Sequence, residues 1–141
     1  MDITSKLFKN KWQYTAMWTA IVFILSLLPG HSFPKIGFNF IDLVVHFVMY
    51  ALMSFLLYFS LFNTIQQQGF RLVFKLWVAM VCFGTIIEIL QETVAINRCF
   101  SGYDILFNAI GAVFIFILFK IQKNQHETSS KTSRNPISSD M

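Results

Sequence analysis

The stretch FGTIIEILQETVAINRCFSGYDILFNAIGA (Phe83–Ala112) decides how the chain is read. Most of it is apolar enough to be membrane core, yet Glu88, Gln91, Arg98, Asp104 and Asn108 are spaced through it. Hydrocarbon penalises each of these groups, because it offers no hydrogen bonds in place of those to water. A membrane reading must therefore say where these five side chains go.

Outward from this stretch, the rest of the 141-residue chain supports the membrane reading. Hydrophobic residues make up 55% and charged residues 13%, with seventeen phenylalanines. The mean hydropathy is +0.58. The apolar residues are gathered into four runs, Trp12–Leu28, Ile41–Phe62, Leu72–Leu90 and Tyr103–Ile121. Each approaches the ~20 residues that a helix needs to cross a bilayer. Polar segments separate them, including NTIQQQGFR (Asn63–Arg71). The expected fold is all-α, an integral membrane four-helix bundle whose backbone hydrogen bonds are satisfied internally.

Three segments are expected: a cytoplasmic N-terminal segment (1–11), a membrane domain (12–121) and a disordered cytoplasmic tail (122–141). The tail is rich in Ser and Thr and has few apolar residues to bury. Lys6, Lys9 and Lys11 resemble the basic start of a signal peptide. The first apolar run is long, however, and LSLLPGHS lacks a small-x-small cleavage site, so a retained helix is expected.

Charge sets the orientation. Four crossings put both termini on one side, together with Lys6, Lys9, Lys11, Arg71, Lys75, Lys120, Lys123, Lys131 and Arg134. Lys35 and Arg98 fall on the other side. By the positive-inside rule, both termini are expected in the cytoplasm and the protein in the cytoplasmic (inner) membrane. The basic groups then call for no nucleic-acid partner. Cys82 and Cys99 fall too far apart for a disulfide, and no zinc-type cysteine spacing is present.

With this topology the polar groups converge. Asp42 and His46 begin the second run, Glu88, Gln91 and Glu92 end the third, and Asp104 and Asn108 begin the fourth. All face the outer side, with Arg98 in the outer loop. At 1.5 Å per residue, His46 and Asn108 lie about 7 Å inside their runs, and Glu88 about 7 Å before Thr93. Asp42, His46 and Tyr50 share one helical face, as do Gly84, Glu88 and Gln91, and Asp104, Asn108 and Gly111. The two glycines leave room for close helix contact, so each stripe is expected to face another helix.

Asp42, Glu88, Glu92 and Asp104 bring four carboxylates to this layer, against Arg98 and a protonatable His46. Asp42 and Asp104 lie near helix N-termini, where the dipole favours an anion. Glu88 is deeper and near a C-terminal end, so burial and dipole both oppose its charge. It is expected to carry a proton or to pair with Arg98. Asp104 has a rival role in SGYD (Ser101–Asp104), which fits the S-x-x-D form of a capping box. Gln91 and Asn108 read as interhelical hydrogen-bonding residues, and Glu92 as a solvated charge.

LSLLPG (Leu25–Gly30), DLVVHFVMYALMSFLL (Asp42–Leu57), FGTIIEILQ (Phe83–Gln91) and RCFSGYDILFNAIGA (Arg98–Ala112) together resemble the VanZ-like family of small multi-pass bacterial membrane proteins. The resemblance reaches all four runs. It implies that Asp42, His46, Glu88, Gln91, Arg98, Asp104 and Asn108 are signature polar positions, and it implies a link to glycopeptide (teicoplanin) resistance and the cell envelope. The chain departs from the family in having Leu43 where Lys is frequent and Ile115 where Gly is frequent. The second departure predicts looser packing of the last helix.

A polar pocket at the outer leaflet suits an amphiphile with a polar head, such as a lipid-linked envelope precursor. Arg98 would hold an anionic head group, with Asp42, Gln91, Asp104 and Asn108 as further binding positions. Glu88 and His46 are the acid/base candidates should there be chemistry. No nucleophile motif such as GxSxG occurs, so the sequence leaves enzymatic activity open. It specifies no cofactor, and spacing alone gives no convincing metal set. Two other readings remain: a structural or regulatory subunit docking a membrane protein partner, and a small proton- or cation-coupled transporter.

Overall fold

Residues 11–27, 40–94 and 100–134 are described by a computed structural model, without the side chains at 126 and 129–134. Among them every element is an α-helix: α1 (Lys11–Ser26), α2 (Phe40–Ser60), α3 (Phe62–Gln68), α4 (Phe70–Val94), α5 (Gly102–Ala112) and α6 (Phe114–Arg134). Three runs are long and apolar enough to cross a membrane: α2 with 21 residues, α4 with 25, and the α5–α6 run Gly102–Gln125 with 24. Only 28% of each apolar window is buried. Phe55, Ile86, Ile89, Leu106 and Ile117 point outward, as lipid-facing positions do.

The described part of α1 has 16 residues, about 24 Å of helix against a hydrocarbon core of ~30 Å. It lies antiparallel to α2. Thr15 Oγ1 is 2.7 Å from Ser60 Oγ and donates to Leu56 O at 3.2 Å. One turn on, Trp18 Nε1 donates to Met49 O at 3.1 Å.

α2 is the central element because one face of it carries everything that must be hidden. Asp42, His46, Tyr50, Ser54 and Tyr58 recur every fourth residue, and the last four are buried. α5 lies directly on this face. A Cβ at Gly111 would run into Phe47 O, with Ala51 N and Tyr50 Cβ each 3.1 Å away, so the two backbones nearly touch. Below this contact the core is apolar, with Met53, Val73, Met80, Ala112 and Ile115 all buried. Ile115, which stands where the family pattern has Gly, is buried against this core, 0% exposed.

Three boundaries differ from the sequence expectation. The connection after α2 is not an open loop but the helix α3, whose Gln-rich sequence favours a helix. It ends at Gly69, whose φ of 63° turns the chain into α4. The last run breaks near Val113, where Phe116 N donates to Val113 O at 2.9 Å in place of the residue one further back. The carbonyl of Ala112 receives the Ser54 hydroxyl instead, at 3.1 Å. Finally, α6 continues to Arg134, thirteen residues past the expected end at Ile121, so the expected disordered tail is helical through that point. Gln, Lys and Glu in this segment are good helix formers, and the Tyr58 hydroxyl donates to Gln122 Oε1 at its start.

Ser54→Ala is expected to lower stability in detergent by about 1 kcal/mol, as interhelical hydrogen bonds in membranes do. Denaturant unfolding of the purified pair would measure it, and a larger loss would show that the break at Val113 depends on this bond.

Candidate functional site

The N-terminal ends of α2 and α5 and the C-terminal end of α4 meet at one end of the molecule. Six of the seven polar positions singled out in the sequence lie there, and five of them are buried: His46, Glu88, Gln91, Asp104 and Asn108. Asp42 is half-exposed, with 45% of its side chain open. Arg98, with Cys99, Lys35 and Leu28–Gly30 of the LSLLPG motif, lies outside the described residues. Glu92 is exposed, as a solvated charge should be.

His46 is at the centre. Its Nδ1 lies 3.0 Å from Asn108 Oδ1. Because an amide oxygen can only accept, Nδ1 carries the proton and donates. The other ring nitrogen, Nε2, faces Asp104 Oδ2 at 3.8 Å and Asp42 Oδ1 at 4.0 Å. Both separations exceed a hydrogen bond. One oxygen of each carboxylate and Nε2 all lie within 4.8 Å of one another. Three residues from two helices, 62 positions apart in sequence, thus form one compact group.

The capping box in SGYD is only half formed. Ser101 is the N-cap of α5, and its Oγ accepts from Asp104 N at 3.3 Å. The reciprocal bond, from Ser101 N to the residue three further on, is made by a different carboxylate: Ser101 N donates to Glu88 Oε1 at 2.8 Å. The Asp104 side chain lies beside His46 instead. Glu88 binds the end of α4 to the start of α5.

Gln91 works across another gap, its Nε2 donating to Ser26 O at 2.6 Å at the end of α1. Gly84 sits where α4 meets both Tyr50 and Asn108. A Cβ there would stand 2.9 Å from Tyr50 Oη and 3.0 Å from Asn108 Nδ2. These two atoms are fully buried and have no hydrogen-bond partner among the described residues. They converge one turn below His46.

Sequence reasoning missed three contributors. Ser54 was within reach, since it extends the stripe of Asp42, His46 and Tyr50 by one more step of four. The Ser26 carbonyl and the Ser101 N–H carry no such signal, because backbone partners depend on how helices are set against each other. The geometry can hold a cation between carboxylates and an imidazole, or pass a proton among them. No family model, curated protein or solved structure matches this chain.

Proposed function

We propose that the chain is a VanZ-like protein of the cytoplasmic membrane that binds the anionic head group of a lipid-linked envelope component in the outer leaflet. One observation carries the reading: polar residues from three separate sequence stretches pack together at one end of the long apolar helices. Intramembrane ionisable groups are expensive, and by default they mark a functional site. In this reading the first apolar run makes a fourth crossing, both termini face the cytoplasm, and the polar end faces outward. Asp42, half-exposed, lies at the mouth, and Arg98 supplies the cation that meets the head group. The family resemblance adds the link to glycopeptide resistance. Any chemistry at the site would use Glu88 and His46 as acid and base.

The test is binding of a fluorescent polyprenyl phosphate to the full chain in nanodiscs. Saturable binding is expected, weakened at least tenfold (about 1.4 kcal/mol) by Arg98→Ala without a fall in melting temperature. Equal binding by the variant would remove Arg98 from the site, and no saturable binding by the wild type would overturn the reading.

A second reading is a structural or regulatory subunit. It is favoured by the bonds Glu88–Ser101 and Gln91–Ser26, each of which ties one element to the next at the polar end. Co-purification of one stoichiometric membrane protein, lost on changing exposed residues of this end, would support it.

A further inference from the structure

We infer that Asp42, His46 and Asp104 form a binding site for one divalent transition-metal ion of the zinc or manganese class. The spacing in sequence gives no such set, because Asp104 comes from another helix. The inference goes beyond the head-group reading and stands without it.

The first ground is the state of His46. Its Nδ1–H is committed to Asn108 Oδ1 at 3.0 Å. The other ring nitrogen, Nε2, is then turned to the carboxylate oxygens of Asp42 and Asp104, with neither close enough for a hydrogen bond. This is the arrangement in which metal-binding histidines are held, one nitrogen fixed by an outer acceptor and the other turned to the ion.

The second ground is size. Donors about 2.1 Å from a common ion stand roughly 3–4.2 Å apart, according to the angle between them. The three donor atoms here lie within 4.8 Å of one another, with Nε2 at 3.8 and 4.0 Å from the oxygens. Small rotations of the two aspartates close the difference.

The third ground is the surrounding polarity. Tyr50 Oη and Asn108 Nδ2 are each on a residue 1% exposed, and neither has a hydrogen-bond partner among the described residues. Asn108 contacts the ring directly, and Tyr50 is one turn below it on the same face. These groups lie on the Nδ1 side of the ring, toward Gly84, and make the shell behind His46 polar.

The donor set selects the ion. One imidazole with two carboxylates is harder than a thiolate site and softer than an all-oxygen cage, which suits zinc or manganese over calcium. Three protein ligands leave coordination positions open, as in catalytic sites rather than closed structural ones. The open side is that of Asp42. An anionic oxygen from a ligand could enter there.

The experiment uses the full chain in detergent, stripped with EDTA and then titrated with Zn²⁺, Mn²⁺ or Mg²⁺. One Zn²⁺ or Mn²⁺ per chain is expected by calorimetry and elemental analysis, with a metal-dependent rise in melting temperature. Manganese paramagnetic resonance should report a nitrogen ligand that is lost in His46→Gln. Asp104→Asn and His46→Gln should each weaken binding at least tenfold. Because these two are buried and their variants could misfold, Asp42→Asn is the deciding variant. It should keep the metal-free melting temperature of the wild type and lose most of the metal-induced rise. Absence of a stoichiometric ion on folded wild type, or an Asp42→Asn variant that binds as tightly as wild type, would overturn the proposal. Metal counts do not depend on lipid, so failure of the head-group reading and failure of this one are read separately.

Discussion

Gly111→Val is expected to destabilise the protein by about 3 kcal/mol, the upper part of the range for overpacked sites. The first added carbon would strike Phe47 O, and Ala51 N is 3.1 Å away. These are backbone atoms inside α2, so they cannot swing aside as a side-chain tip can. The helices must separate, and the His46–Asn108 bond one turn away would open with them. Gly84→Ala is the informative contrast. Its new carbon meets the ends of Tyr50 and Asn108 at 2.9 and 3.0 Å, and both can shift. Unfolding in graded detergent–denaturant mixtures would rank the two. A Gly111→Val protein as stable as wild type would mean that α5 does not rest on α2 as described.

Glu88→Ala is expected to cost about 3 kcal/mol, the sum of an unsatisfied buried N–H and the cavity left behind. The N–H in question is that of Ser101, 2.8 Å from Glu88 Oε1. Glu88→Gln separates hydrogen bonding from charge, because an amide oxygen can still accept from Ser101. If Glu88 serves only to hold α4 to α5, Glu88→Gln should recover most of the melting temperature and any ligand binding. A variant that recovers stability but binds no head group would show that the carboxylate's charge is used by the site. A midpoint for Glu88→Ala equal to or above that of wild type would mean the residue is kept despite its effect on stability, as active-site groups often are.

The convergence of Asp42, His46, Glu88, Gln91, Asp104 and Asn108 was legible because two simple periodicities determine it. Residues four apart share a helical face, and apolar runs of bilayer length alternate in direction. Partner choice was less legible. SGYD carries the signature of a reciprocal cap, yet Ser101 N pairs with Glu88, 13 residues upstream. That outcome depends on the depth at which α4 ends, which no local pattern encodes. The extent of α6 was misjudged for a related reason. Low hydropathy after Ile121 marks the end of membrane core but not the end of a helix, and the Gln and Lys residues there continue it. The meeting of Asp104 with His46 was visible as shared depth, not as shared contact.

The break near Val113 also bears on the order in which the protein can be assembled. Two carbonyls of the final span draw on side chains from elsewhere: Ala109 O accepts from Trp77 Nε1 at 3.2 Å, and Ala112 O from Ser54 Oγ at 3.1 Å. The donors belong to α4 and α2, which are synthesised first. An α5–α6 span leaving the insertion machinery alone would expose a carbonyl to lipid at a depth where nothing else can serve it. The last span is thus completed by its predecessors, and a ribosome delivering the chain from its N-terminus presents the parts in the sequence that this requires.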